Sequence, residues 1–206
     1  MKKRMTKLAV FDFDGTIADT KKLYCYIIRK AINERGYSFS KSHVEKNLGP
    51  KLGITLRDLK IAEKDINPIR NEVHAYILTK VNSLRVCPYA AQALERLKNK
   101  KVKIVLLTNS IRRFVLAFLK KNKLAKYFDV LFCAEDFKEK PEAFRKIFKK
   151  FKTKPGEVLY VADKTSDVRI ARLARCRIAI VLVCSWDKKK FKSEKYVMKD
   201  LRRLKV

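Results

Sequence analysis

The sequence predicts an α/β protein with a doubly wound parallel sheet and a small all-helical module inserted after the first strand. Three observations support this fold class: an apolar run that stops at an acidic turn, a long helical stretch, and then a regular alternation of strands and helices. Nearly continuous apolar strands separated by helices are typical of a parallel sheet covered on both faces. With 206 residues and 47% hydrophobic content, the chain is large enough for this arrangement.

The first predicted strand is Leu8–Phe11, which ends abruptly at the segment Asp12-Phe13-Asp14-Gly15-Thr16. Valine and phenylalanine favour a buried strand, whereas aspartate and glycine end one. The carboxylates of Asp12 and Asp14 should therefore lie at the carboxyl end of a strand, which is the edge where open α/β sheets bind ligands. Two acids so placed suit a divalent cation and nucleophilic attack on phosphorus.

The next stretch, from residue 21 to about residue 86, is predicted to be entirely helical. Apolar residues recur at helical spacing, and Gly36 ends the first helix. Ser42 and Glu45 have capping-box spacing, and Asn67-Pro68 predicts the start of a later helix. This block is too long to be a loop, so it should form a module of its own.

From about residue 87 the pattern changes to alternating helices and strands. Right-handed crossovers between parallel strands should place all the strand ends at one edge of the sheet. We expect residues 1–18 and 87–206 to form the α/β core domain and residues 19–86 to form the helical domain. The predicted elements are helix Tyr89–Lys100, strand Val102–Leu107, helix Ile111–Lys121, strand Val130–Cys133, helix Pro141–Phe151, strand Val158–Ala162, helix Ser166–Arg175, strand Ile178–Cys184 and a last helix over Val197–Leu204.

Polar side chains stand where the later strands end. Thr108-Asn109 follows the second strand and precedes a helix, which suits phosphate binding, although a threonine capping a helix gives the same pattern. Lys140 precedes a proline that starts a helix, so its ammonium group should point to the same edge. Asp163 ends the fourth strand, and Asp167 opens a helix, where the helix dipole also favours an acid.

This ordered set of motifs resembles the haloacid dehalogenase-like (HAD) phosphohydrolases. The matching features are DxDGT, a threonine after the second strand, Lys-Pro and D-x-x-x-D, and the resemblance extends from Leu8 to about Val183. It implies a Rossmann-like core, and the helical block resembles the cap of phosphoglycolate phosphatase and β-phosphoglucomutase relatives. The sequence departs from the family pattern at Ala162, where glycine is usual, and at Lys164, which directly follows an implied metal ligand.

The resemblance also implies roles for the residues at the strand ends. Asp12 would be the nucleophile that forms an aspartyl-phosphate, and Asp14 would be the general acid and then the general base. Mg²⁺ would be held by the Asp12 carboxylate, the Asp14 backbone carbonyl and Asp163, with Asp167 in support. Phosphate binding is implied for Thr108, Asn109 and Lys140.

A turn between two helices of the block, Leu48–Gly53, would face the site as the specificity loop. Gly49 and Lys51 are its candidate specificity residues, and Lys51 could contact a carboxylate or second phosphate at the far end of the substrate. The alternative is that Lys51 is an ordinary exposed lysine of a loop.

The predicted function is that of a Mg²⁺-dependent phosphatase of small, phosphoglycolate-like phosphate monoesters. The first alternative is a phosphosugar mutase, in which the aspartyl-phosphate passes to a sugar instead of to water. The net charge of +30 suggests a second alternative, a nucleic-acid-associated protein or a polynucleotide end phosphatase, because a basic surface binds nucleic acid non-specifically. A solvated lysine-rich surface is the other explanation of the charge, and it is favoured because no aromatic-basic recognition motif is present.

The remaining composition indicates a cytoplasmic protein without a membrane partner. No apolar run approaches the roughly 20 residues that cross a bilayer, and the basic start is not followed by a signal-peptide pattern. The five cysteines form no CxxC pair, which predicts free thiols in a reducing compartment. The sequence does not indicate an oligomeric state.

Overall fold

The fold is a six-stranded parallel sheet with helices on both faces, seen in a computed structural model that describes residues 5–48, 50–185, 191 and 196–205. The strand order is β3-β2-β1-β4-β5-β6, so the first strand lies near the centre of the sheet. This confirms the predicted fold class. The strands are β1 Leu8–Phe11, β2 Lys103–Leu107, β3 Val130–Phe132, β4 Val158–Ala162, β5 Arg177–Val181 and β6 Val197–Met198.

The register of the central strands brings their carboxyl ends into line. Phe11 at the end of β1 pairs with Leu106 of β2 on one side and with Val161 of β4 on the other. The residues that follow these three strands therefore lie side by side at one edge of the sheet, as parallel pairing requires.

Within the described residues, the first four of the five α-helices between β1 and β2 form the helical block, and the fifth covers the sheet together with three later helices. The first helix of the block packs against its fourth. The two chain segments that join the block to the sheet are hydrogen-bonded to each other, with the Asp19 amide donating to the Arg85 carbonyl at 3.0 Å and the Cys87 amide to the Ile17 carbonyl at 2.8 Å. The helices are α1 Lys21–Asn33, α2 Lys41–Asn47, α3 Leu52–Asp58, α4 Glu63–Thr79, α5 Ala90–Asn99, α6 Arg112–Lys121, α7 Lys140–Phe151 and α8 Thr165–Leu173.

Aromatic side chains pack on both faces of the sheet. On one side, Phe13 meets Phe114 and Phe118 edge to face, with ring centroids 5.7 and 5.2 Å apart. On the other side, Phe144 of α7 packs edge to face against Tyr160 of β4. All residues of β1 and β4 are buried, as expected of central strands covered on both sides.

The predicted helix over Val197–Leu204 is wrong. Val197 and Met198 instead form β6, which pairs with Ile180 and Val181 of β5. A 3₁₀ helix at Leu201–Arg203 follows. Without β6, β5 would be an edge strand with unpaired backbone N–H and C=O groups. The pairing with β6 satisfies these groups, which a helix at this position would leave unpaired. The lysine-rich segment before β6 lies largely outside the described residues.

Two helix starts within the block also differ from the predictions. Ser40, not Ser42, caps α2, and its hydroxyl accepts a hydrogen bond from the His43 amide at 3.2 Å. The fourth helix begins at Glu63, so Pro68 lies inside it instead of at its first position. Acidic side chains in the first turn favour this earlier start. Within the described residues, no helix has the length and apolarity to cross a bilayer.

Candidate active site

Asp12 lies at the centre of the site, immediately after β1. Its side chain is buried, and its Oδ1 atom accepts a hydrogen bond from Lys140 Nζ at 3.0 Å. Burial raises the pKa of Asp12 from 3.8 to about 6, although the Lys140 charge opposes the increase. The carboxylate is thus held where it is both poorly hydrated and close to a fixed positive charge.

Three carboxylates come together at this edge. Asp12, Asp163 and Asp167 are all buried, and each offers an oxygen that lies within 4.8 Å of the others. Asp163 directly follows β4, and Asp167 lies in the first turn of α8, where it accepts a hydrogen bond from the Lys164 amide at 3.3 Å. The structure therefore brings together acids that are more than 150 residues apart in the sequence.

Lys140 connects two of these carboxylates. Its ammonium group lies 3.0 Å from Asp12 Oδ1 and 3.1 Å from Asp167 Oδ1. Burial alone would lower the pKa of Lys140, but the charges of Asp12 and Asp167 outweigh burial and raise the pKa above its usual range. Lys140 is therefore charged at neutral pH and offsets part of the negative charge of the site.

Tyr160 of β4 completes this network, and sequence reasoning missed it. Its hydroxyl donates to Asp167 Oδ1 at 2.7 Å and accepts from Lys140 Nζ at 2.8 Å. Burial raises the pKa of Tyr160 well above 10.0, so the hydroxyl keeps its proton. A single tyrosine in an otherwise aliphatic strand was the available signal, because a buried hydroxyl needs a partner.

Asp14 is surrounded by hydroxyl groups. Thr20 Oγ1 donates to Asp14 Oδ1 at 2.7 Å, while Ser110 Oγ and Thr108 Oγ1 donate to Oδ2 at 2.7 and 3.3 Å. Thr20 and Ser110 were not predicted from the sequence. Ser110 also shares a 2.9 Å hydrogen bond with the Tyr24 hydroxyl, which links this carboxylate to the helical block.

Thr108 and Asn109 lie at the same edge, after β2. Thr108 is fully buried, and its hydroxyl accepts a hydrogen bond from the Ser110 amide at 3.0 Å. The following helix is capped by Ile111, so Thr108 is not the helix cap that the sequence left open as an alternative. Asn109 lines the cavity beside the carboxylates.

A cavity of about 60 Å³ separates the carboxylates from the helical block. Its floor contains Asp12, Asp14, Lys140 and Asp167, together with Asn109 and Ser110. Its opposite wall comes from the helical block and is largely apolar. The described residues on that wall are Tyr24, Ile28, Leu48, Pro50, Leu52, Thr55 and His74.

The comparisons with known proteins agree with this geometry. The family model of the haloacid dehalogenase-like hydrolases matches residues 9–181. The chain belongs to this family. This hydrolase is 27% identical to the phosphorylated carbohydrates phosphatase of Thermotoga maritima, over 80% of each chain. It is 25% identical to the phosphoglycolate phosphatase of Aquifex aeolicus, over 85% of this chain and 84% of that one.

Solved structures support the same fold. The structure of CbbY from Rhodobacter sphaeroides in complex with phosphate superposes with a TM-score of 0.83 at 16% identity, covering 97% of this chain and 96% of that one. The family, the fold class and the phosphatase class of enzyme predicted from the sequence are thereby confirmed.

The donor set of this hydrolase fits a divalent cation. Four aspartates and two lysines lie at this edge of the sheet, which gives a formal excess of two negative charges; they are Asp12, Asp14, Asp163 and Asp167 with Lys140 and Lys164. Oxygen ligands with a negative excess suit a hard divalent ion. Asp12, Asp163 and Asp167 would hold it, since their oxygens converge.

Of the two predicted specificity residues, Lys51 is among the described residues, and it does not line this cavity. Gly49 lies outside the described residues. Lys51 points away from the carboxylates: its ammonium group donates to the carbonyl of Ala134 at 2.5 Å and to that of Phe137, and lies 4.8 Å from the centre of the Phe137 ring. Partial burial lowers its pKa from 10.5. The loop lysine thus connects the helical block to the core in this conformation.

Proposed function

We propose that this hydrolase is a Mg²⁺-dependent phosphatase of small phosphate monoesters that acts through an aspartyl-phosphate. The observation that carries the proposal is the environment of Asp12. This carboxylate has Lys140 and two further acids on one side, while Asp14 stands two residues away among hydroxyl groups. A nucleophile and a separate proton donor are the two groups that such a reaction requires.

In the first step, a carboxylate oxygen of Asp12 attacks phosphorus, and the bond from phosphorus to the ester oxygen breaks. Protonated Asp14 gives its proton to the leaving oxygen, so that a neutral alcohol departs. In the second step, Asp14 takes a proton from water as that water attacks the aspartyl-phosphate. Inorganic phosphate leaves, and both aspartates return to their starting forms.

The other residues of the floor bind and orient the phosphoryl group. Lys140 offsets the repulsion between the Asp12 carboxylate and an anionic substrate. Thr108 and the backbone amide of Asn109 would bind the phosphoryl oxygens. Mg²⁺, held by Asp12, Asp163, Asp167 and the Asp14 carbonyl, would supply further charge neutralisation when bound.

The relatives and the cavity support a small substrate. The relatives named above act, by their names, on phosphorylated carbohydrates and on phosphoglycolate. The cavity is small, and the helical block covers it. We propose that residues 19–86 act as a cap domain over the core of residues 1–18 and 87–206. A cap of this kind excludes water and would obstruct the end of a polymer.

The test is phosphate release from an aryl phosphate and from a panel containing phosphoglycolate, sugar phosphates, nucleotides and 5′-phosphorylated oligonucleotides, with and without Mg²⁺. Asp12→Asn should abolish turnover. Asp58→Asn removes an exposed carboxylate of α3 and should leave turnover unchanged. Turnover by Asp12→Asn close to that of the unaltered chain would contradict the proposed nucleophile, and metal-independent turnover would contradict the cofactor.

A further inference from the structure

The wall that the helical block presents to the cavity carries no positive charge among the described residues. Ile28, Leu48, Pro50 and Leu52 are apolar, and Thr55 and the Tyr24 ring are neutral. His74 is the one titratable imidazole there among the described residues, and burial followed by the nearby Arg70 charge lowers its pKa below 6.5. This wall is therefore neutral at pH 7.

The lysines that line the cavity belong to the opposite side. Lys140 is bound to Asp12 and Asp167 within the floor. Lys164 follows Asp163 directly, is buried, and belongs to the chain turn between β4 and α8. Both lysines among the described lining residues thus belong to the side of the cavity where the phosphoryl group would bind.

Lys51 is the lysine of the predicted specificity loop, but its ammonium group is bound to the core. It donates to the Ala134 and Phe137 carbonyls of the core, and the charges of Glu135 and Glu142 lie nearby. Its neighbours Pro50 and Leu52, in contrast, line the cavity. The loop therefore turns its apolar residues inward and its lysine towards the core.

We propose that this site selects phosphate monoesters whose leaving alcohol is neutral and partly apolar, and that it discriminates against esters whose far end carries a carboxylate or a second phosphate. An anionic end would lose its hydration against this wall without gaining a cationic partner among the described residues that line it, which is unfavourable. The inference rests on the proposed phosphatase function. The substrate proposed here has the small size of phosphoglycolate but carries a neutral group in place of its carboxylate.

The test compares two esters of similar size, phosphoglycolate and 2-hydroxyethyl phosphate. The first ends in a carboxylate, and the second ends in a neutral hydroxymethyl group. We expect kcat/KM to favour 2-hydroxyethyl phosphate by about tenfold or more, since a site without a partner for a charge rejects it strongly. Leu52→Lys and, as a second variant, Pro50→Lys place an ammonium group on the wall. Each should shift the ratio of the two kcat/KM values towards phosphoglycolate by about tenfold.

The matched control is Ile54→Lys, which adds the same charge at a side chain that is 43% exposed and does not line this cavity. It should leave the ratio unchanged. A preference of the unaltered chain for phosphoglycolate would overturn the inference. Loss of such a preference in Lys51→Met or in Lys164→Met would identify the cation that recognises the carboxylate.

A failure of the proposed function gives a different result, namely no hydrolysis of either ester or of an aryl phosphate. Binding of two non-hydrolysable phosphonates then still tests the selectivity. We expect 2-hydroxyethylphosphonate to bind more tightly than phosphonoacetate. Tighter binding of phosphonoacetate would overturn the inference whether or not the protein turns over esters.

Discussion

The edge of the sheet and the inner wall of the helical block enclose the same cavity, but they differ in construction. At the sheet edge, charged side chains are buried and bound to one another, as in the contacts of Lys140 with Asp12, Asp167 and Tyr160. On the wall, apolar side chains from helices and a turn contribute shape without charge. Reacting groups need fixed positions on rigid elements. Substrate selectivity, in contrast, can be changed by substituting single residues of the wall without disturbing the reacting groups.

The largest effect should come from breaking the charge network of the sheet edge. Lys140→Met leaves two buried carboxylates without their shared cation. Removing one partner of a buried ion pair costs about 3–5 kcal/mol of unfolding free energy. We expect phosphatase kcat to fall by about a thousandfold, because the nucleophile also loses its neighbouring charge.

Steady-state kinetics and urea unfolding measure these two effects. Lys149→Met removes an exposed lysine of the same helix and should change neither quantity. An active Lys140→Met variant would show that Asp12 does not depend on this cation.

A smaller effect at the same edge is expected for Tyr160→Phe. The substitution removes the hydroxyl that donates to Asp167 and accepts from Lys140 but keeps the ring that packs on Phe144. Loss of a partner that orients a metal ligand typically weakens metal binding about 10–100-fold. Calorimetric titration with Mg²⁺ checks this. Tyr196→Phe alters a tyrosine that is 61% exposed and serves as the control.

The pH dependence of the unfolding free energy should report the burial of Asp12 at the sheet edge. Without metal, the pKa of Asp12 is raised from 3.8 to about 6, so the folded chain holds this proton more tightly than the unfolded chain. Its contribution to stability is fully present below about pH 3.8 and is lost as the pH rises through about 6.

Asp12→Asn removes this titration. In EDTA, its unfolding free energy relative to the unaltered chain should therefore increase between pH 4 and pH 7, by up to about 3 kcal/mol. Denaturant unfolding at the two pH values tests this, and an unchanged difference would mean that Asp12 titrates normally.

The smallest effect is expected on the side of the helical block. Lys51→Met removes the contacts of the loop with the Ala134 and Phe137 carbonyls, which hold the block against the core. We expect KM to rise a few-fold for all substrates with little change in kcat, since the reacting groups are untouched. Lys64→Met alters an exposed lysine of α4 and is the control. A large change in kcat would instead place Lys51 among the reacting groups.

The sequence predicts the positions at strand ends well, because a continuous apolar run that stops abruptly at a polar residue marks the end of a buried strand. Asp12, Lys140, Asp163 and Asp167 converge as the parallel topology requires. The catalytic roles themselves remain predictions until the variants are measured.

Features that depend on tertiary contacts could not be predicted in this way. The position of the Lys51 ammonium group depends on the carbonyls of Ala134 and Phe137, which lie 83 and 86 residues further along the chain. The segment Val197–Met198 forms a strand because β5 offers an open edge, not because of its local sequence. The role of Tyr160 also depends on tertiary contacts, because its hydroxyl bonds to Asp167 and Lys140, which lie on other elements.

The two paired segments that connect the helical block to the sheet lie close in sequence to the proposed general acid, Asp14. Thr20, whose hydroxyl donates to Asp14, also occupies the N-cap position of α1 in the helical block. A rotation of the helical block about these segments would therefore move Thr20 relative to Asp14. Such a movement would lengthen or break the 2.7 Å hydrogen bond between them. A motion of the helical block that admits substrate would then also change the hydrogen bonding of Asp14, the proposed proton donor.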